Sequence, residues 1–266
     1  MKRVFKSLLS GLFSSDWHLH DSFSHDGHGQ PVDFARQAYE KGILSIGITN
    51  HIEEYDLALR QYDIVFDKAI KRISESYAAI LQARKSVSEV EIRFGVEFEN
   101  NARCYPVMER ILSEIRFDYV IGSVHVVKGV SITDPDCLPF LRQTSPERMM
   151  EQYYREMTDF LEWGRFDYLG HTDIARRYLT DVYPGFKPSI PYDVLRNVFS
   201  LLCSRGQGIE INTAGLFHAP QDTYPTLEII ELALDCGVER WMAGSDAHCP
   251  ENVGRGFNEA KKSLTC

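Results

Sequence analysis

Seven times along this 266-residue chain, a short apolar or β-branched run gives way to a longer stretch with helical spacing. That alternation limits the fold more than any other feature of the sequence. The strand-like runs are an opening run from Asp16, then 43–50, 90–97, 119–125, 167–171, 208–213 and 239–248. Helical periodicity covers 31–41, 63–86, 105–114, 146–162, 192–204, 227–235 and a closing segment to the C-terminus. Strict alternation implies a parallel sheet, because each helix carries the chain back to begin the next strand. At this length a closed barrel of about seven strands fits better than an open doubly wound sheet. No Gly-x-Gly-x-x-Gly follows the first strand, so a dinucleotide-binding fold has no support. The expected architecture is α/β, a distorted (β/α)7 TIM-like barrel, with residues 1–266 as one domain.

Histidines mark one end of that barrel. Of nine in the chain, six (His18, His20, His51, His125, His171 and His248) stand at the carboxyl end of a predicted strand. In a parallel barrel those ends open onto one face, where catalytic loops gather. His18 and His20 alternate with Leu19 and so share a side of the opening strand. Glu97 and Asp246 reach the same rim from their own strands. Imidazole and carboxylate together, with no cysteine in the set, suit Zn²⁺, Mn²⁺ or Fe²⁺. The candidate ligands exceed one coordination sphere, which predicts two or three divalent ions.

Composition narrows the partners. A net charge of −9 argues against a nucleic-acid footprint, which needs clustered Lys and Arg. No apolar run reaches membrane-spanning length. Six cysteines lie scattered without a C-x-x-C spacing, and they read as reduced thiols of a cytoplasmic protein. In residues 1–15, Val4, Phe5, Leu8, Leu9, Leu12 and Phe13 fall at helical spacing while Lys6 interrupts the apolar run. A short amphipathic helix capping the core, as an N-terminal extension, is expected there rather than a targeting peptide. The long loop 126–144, with Pro135 and Pro139, is expected to be functional. Oligomeric state is left open by the sequence.

The successive motifs His18-x-His20, Ser24-x-Asp26-Gly27, Thr49-Asn-His51, Gly95-Val-Glu97, Gly122-Ser-Val-His125, Gly170-His171 and Gly244-Ser-Asp246-Ala-His248 resemble those of the polymerase and histidinol phosphatase (PHP) superfamily. Within it, the stretches Glu210-Ile-Asn-Thr-Ala-Gly-Leu216 and the run from Gly244 to Phe257 are most similar to the histidinol-phosphatase branch. The resemblance implies a cluster of three ions. One would take His18, His20, Glu97 and Asp246; a second would share Glu97 and take His125 and His171. The third would take Asp26, His51 and His248, with His25 a neighbour of that set.

The implied activity is metal-dependent hydrolysis of a small phosphorylated substrate, most simply L-histidinol phosphate to L-histidinol and phosphate. Glu97 is expected to bridge ions, and Asp246 or His248 to shuttle a proton to the leaving group. Arg176, Arg177 and Arg255 are expected to meet the phosphate, and His218 to do so when protonated. Asn212 is expected to hydrogen-bond substrate or to hold the rim together. Asn50 stands where many relatives have Asp, and Phe217-His218 where a basic residue is common. Other readings are a phosphoesterase of a nucleotide or sugar phosphate, a metal amidohydrolase, or a non-catalytic PHP module. Amidohydrolases typically use a bridging lysine, and no lysine here sits at a strand end with suitable neighbours.

Overall fold

The computed structural model describes residues 11–56, 61–187 and 189–265. Its central sheet contains β1 (Ser15–Leu19), β2 (Ser45–Ile48), β3 (Glu91–Glu99), β4 (Tyr119–Ser123), β5 (Tyr168–Leu169), β6 (Gly208–Asn212) and β7 (Trp241–Gly244). These strands pair in chain order, each parallel to the next. The two ends of the sheet meet where His20 N donates to Ala247 O at 2.9 Å, beside a parallel bridge between Leu19 and Ala247. The result is a nearly closed seven-stranded barrel, as the alternation predicts.

Buried Asp16 fastens the seam. Its carboxylate accepts from Ser245 N at 2.9 Å and Gly254 N at 2.7 Å. Burial pushes its pKa up to about 6 against those hydrogen bonds.

Seven helices follow the strands: α1 (Pro31–Glu40), α2 (Phe66–Ser86), α3 (Tyr105–Glu114), α4 (Pro146–Trp163), α5 (Tyr192–Ser204), α6 (Leu227–Asp235) and α7 (Phe257–Thr265). Each turns an apolar stripe to the sheet, such as Phe34, Ala35 and Ala38 of α1 or Ala69, Ile73 and Ile80 of α2. Inside the barrel, Tyr119, Ile121, Tyr168 and Met242 pack with Trp17 and fill the end away from the histidines. The fit demands glycine at two places. A Cβ at Gly47 would lie 1.7 Å from Tyr119 Oη, and one at Gly95 would lie 2.9 Å from its ring. The Arg93 guanidinium caps this plug, 3.9 Å from the centre of the Trp17 ring.

Several elements depart from the sequence reading. The stretch 126–144 is not a bare loop, because a small hairpin joins Val126–Val127 to Val130–Ser131. Its two-residue turn is Lys128-Gly129, both with positive φ (51° and 75°). Left-handed backbone at both central positions is what a tight hairpin turn requires. A 3-10 turn over Pro135–Cys137 and a helix over Leu138–Leu141 complete the stretch. Past β5 an extra helix, Arg176–Val182, carries two expected phosphate ligands. Most of the expected N-terminal helix (Val4, Phe5, Leu8 and Leu9) lies outside the described residues. Phe13 is buried edge-on against Phe257, their centroids 5.1 Å apart. No helix among the described residues is long and apolar enough to cross a membrane.

Candidate metal centre

All nine sequence-derived ligands arrive at one mouth. Each donor follows or ends a strand, so the parallel register alone brings β1 and the turn after β7 together across more than 220 positions. Four overlapping sets have ligand atoms within 4.8 Å of one another: His20, Asp26, His51 and His248; His18, His171 and Asp246; His18, His20 and Glu97; and Glu97, His125 and His171. Glu97, His125 and His171 thus come together as one set, and Asp26, His51 and His248 as another that His20 joins. The first divides, since Asp246 groups with His18 and His171.

Glu97 sits at the hub, only 1% exposed. Its Oε2 lies 3.0 Å from His18 Nε2, 3.3 Å from His20 Nε2 and 3.4 Å from His51 Nδ1. Its Oε1 faces His171 Nε2 at 3.1 Å and His125 Nε2 at 3.5 Å, and accepts from Ser123 Oγ. The two oxygens of one carboxylate thus serve two different groups of imidazoles. Asp246 takes a left-handed backbone (φ 54°), a conformation a short polar side chain tolerates at modest cost. That twist aims Oδ1 at His20 Nε2, 3.4 Å away, and lets Asp246 O accept from His248 Nδ1 at 2.9 Å.

Electrostatics set two kinds of histidine apart. Burial and the neighbouring His248 lower the pKa of His20. Burial also holds His51 well below the ordinary imidazole value, despite Glu97. Both keep neutral rings with a lone pair to give. At His18 burial works against a proton, but Glu210, Glu97 and Asp246 outweigh it and raise the pKa well above normal. For Glu97 and Asp246 burial is again opposed, and the surrounding imidazoles hold both well below the usual carboxylate range. The charges demand positive partners in their midst. Both ring nitrogens of fully buried His20 lack any hydrogen-bond partner. Orphaned imidazole nitrogens among carboxylates, with no thiolate in reach, fit a divalent cation bound through nitrogen and oxygen.

A PHP domain family model matches residues 16–214. This chain belongs to the PHP domain family. It is 26% identical over 258 residues to a probable histidinol-phosphatase of Deinococcus radiodurans, spanning 96% of this chain and 94% of that one. A second probable histidinol-phosphatase, from Thermotoga maritima, is 25% identical over 249 residues, with 94% and 90% covered. Among solved structures, the histidinol phosphate phosphatase of Lactococcus lactis, complexed with zinc, L-histidinol and phosphate, superposes with a TM-score of 0.76. It shares 20% identity, over 94% of this chain and 92% of that one.

Around this PHP centre the structure adds residues that the sequence reading left without a role. Glu210, fully buried in β6, takes His18 Nδ1 at 2.7 Å and the backbone N of His171 at 2.8 Å. Holding Nδ1–H in this way fixes the ring with Nε2 toward Glu97 and the mouth, where a bound cation would take the place of the Nε2 proton. Gly244 makes the contact possible, because a Cβ there would meet Glu210 Oε1 at 2.1 Å and His18 Cβ at 2.5 Å. Replacing Glu210 with Gln should weaken metal affinity about 10–100-fold. Titration of the metal-free variant with Zn²⁺ or Mn²⁺ would show it, and unchanged affinity would remove Glu210 from this role. Asn50 is tied to Asp21: Asn50 Nδ2 donates to Oδ1 at 2.7 Å, and Asp21 N donates back to Asn50 Oδ1 at 2.9 Å.

The expected phosphate ligands separate. Arg177 lines a cleft of about 290 Å³ together with Asp26, His51, Glu97, His171 and Asp246. Arg255 stacks 3.5 Å from the centre of the Phe217 ring. His218 lies close enough to Arg177 and Arg255 to feel both, and burial first, then those charges, lower its pKa to about 4. Burial and the two guanidinium groups thus favour the neutral ring of His218. Arg176 needs a correction. It points away from the cleft, its Nε 2.8 Å from Asp173 Oδ2, and it also donates to Thr223 O at 2.5 Å. A buried Asp173 needs a counter-charge, and the neighbouring helix supplies it. Asn212 is likewise internal. It donates to Glu210 at 3.1 Å and to Asp246 at 3.4 Å, so of the two expected roles it serves the rim.

Proposed function

We propose that this protein is a metal-dependent phosphomonoester hydrolase acting on L-histidinol phosphate. What carries the reading is one juxtaposition: seven of the nine candidate N and O ligands line a single cleft that also presents Arg177, and His18 and His20 belong to the same overlapping sets. The histidinol-phosphatase relatives, matched over nearly their whole length, support the choice of ester.

Three sites are proposed: His18, His20, Glu97 and Asp246; Glu97, His125 and His171; and Asp26, His51 and His248, with His20 at the boundary of the last. Divalent ions held there would lower the pKa of a bound water and draw charge from the phosphoryl oxygens. The chain's own part is to fix the geometry. Glu97 joins two sites through separate oxygens, Ser123 and Glu210 keep Glu97 and His18 from turning, and neutral His51 offers its lone pair. Arg177 orients the phosphate by paired N–H donors, with Arg255 able to swing in from Phe217 and neutral His218 able to donate one hydrogen bond. Asp246 and His248, 14% and 35% exposed in their side chains, both line the open cleft. They are placed to pass a proton to the leaving alkoxide.

Phosphate release from L-histidinol phosphate, a nucleotide monophosphate, a sugar phosphate and p-nitrophenyl phosphate tests this, each with Mn²⁺, Zn²⁺ or excess chelator. Turnover is expected to be fastest on histidinol phosphate and to vanish on chelation. Undiminished turnover after exhaustive chelation would sink the metal reading, and faster turnover of a nucleotide or sugar phosphate would replace the substrate.

A further inference from the structure

We infer that Glu53 and Glu99 form an acidic subsite that reads the cationic part of the ester, so that this cleft selects phosphate monoesters whose alcohol carries an ammonium or imidazolium group. This rests on the phosphatase reading above and adds to it the residues that choose the substrate.

Both carboxylates line the same cleft as the metal ligands, yet neither belongs to any of the ligand sets. They are 2% and 4% exposed. Glu53 accepts backbone donors on each oxygen: Glu99 N at 3.0 Å and Ile52 N at 3.1 Å. Glu99 is less well served. Its Oε2 lies 3.7 Å from His125 Nδ1, while its buried Oε1 has no partner at all. Among the described residues, no lysine or arginine forms an ion pair with either. Buried Asp173, by contrast, has the guanidinium of Arg176 beside it, and buried Asp16 has hydrogen-bond donors on both oxygens. Two adjacent buried carboxylates with an open acceptor and no cation form an incomplete arrangement unless a ligand completes it.

The open valence has the character of a hydrogen-bond acceptor. Glu53 already spends both oxygens on N–H donors, which leaves Glu99 Oε1 for an N–H cation and too few oxygens for another metal ion. Position around the barrel agrees. Glu53 and Glu99 follow β2 and end β3, whereas Arg177, His218 and Arg255 follow β5, β6 and β7. In a barrel with strands in sequential order these are different sides of the mouth, with the metal ligands between them. The cleft therefore has an anion-binding side and a cation-binding side. A phosphate ester seated at the metals against Arg177 would extend its alcohol toward the glutamates.

Matched esters give the test: 2-aminoethyl phosphate against ethyl phosphate, and L-histidinol phosphate against p-nitrophenyl phosphate. The metal-loaded protein is expected to prefer the cationic ester of the first pair by about tenfold or more in kcat/KM, the size of one charge-assisted hydrogen bond. Glu99→Gln should reduce that preference about tenfold, chiefly through KM, and should weaken competitive inhibition by L-histidinol to a similar degree. Glu53→Gln should act in the same direction. Hydrolysis of both ethyl esters at equal efficiency by the unsubstituted protein would overturn the subsite while leaving the phosphatase standing, whatever the variants do. So would a preference that survives both substitutions. If no ester is hydrolysed under any metal, the phosphatase reading fails and the subsite fails with it.

Discussion

Glu97→Gln is expected to cost at least about 10²–10³-fold in kcat/KM, the range seen when one fixed charge-stabilising group is removed from an active site. The variant should also purify with less bound metal. Gln matches Glu in shape, so packing against Ser123 and the neighbouring strands is retained. What changes is the second anionic oxygen. Oε1 and Oε2 face different imidazole groups, at 3.1 Å from His171 and 3.0 Å from His18. An amide offers one weak neutral acceptor, and its NH₂ would point at nitrogens that need their lone pairs free. His25→Ala is the control. His25 lines the cleft but is 35% exposed in its side chain and falls outside the ligand sets, its Nε2 3.8 Å from Asp26 Oδ2. Its loss should stay within about fivefold, below the cost of removing a metal's outer support. Steady-state kinetics with metal analysis of both variants decides the matter. Equal losses would mean that the hub has been misplaced.

The barrel was readable because its signal is redundant: seven alternations, each separately consistent with a parallel crossover, agree on one topology. The ligands were readable for a related reason. His18, His51, His125 and His171 needed no contact prediction, only the rule that parallel strands end on one face. The supporting residues gave no such signal. Glu210 lies two positions before the strand end among Ile209, Ile211 and Asn212, and its sequence context is that of any buried strand. Its task depends on Gly244, 34 residues later, being too small to occupy the space. Glu99 was visible only as a second acid past Glu97, and its partner Glu53 sits in a connection without periodicity. The hairpin at Lys128-Gly129 was legible in principle, since Lys-Gly between two valine-containing runs is a tight-turn pattern. Two-residue strands are simply too short to show alternation.

Arg176 and Arg177 show the limit of reading charge from position. Adjacent on one helix and equally near His171 in sequence, they diverge by about 100° around the helix axis, so one faces the core and the other the cleft. Arg176→Ala should destabilise the fold by about 3–5 kcal/mol, the usual cost of removing one member of a buried ion pair. In melting temperature that is a fall of roughly 10 °C for a chain of this size. The cause is Asp173, 1% exposed. Burial already raises its pKa against the lowering effect of Arg176. Without the guanidinium that pKa rises further, and a carboxyl whose folded pKa exceeds its unfolded one contributes stability that is lost as pH increases. The deficit of the variant should therefore be largest at high pH and shrink as pH falls and Asp173 takes up a proton. Arg177→Ala should behave in the opposite manner. Its melting temperature should move by no more than about 2 °C, as for a surface substitution, while KM for the phosphate ester rises about tenfold with the loss of charge-assisted contacts. Melting curves across pH 5–8 with parallel kinetics separate the two. A stable Arg176→Ala with raised KM would return that arginine to the phosphate and refute the buried pairing.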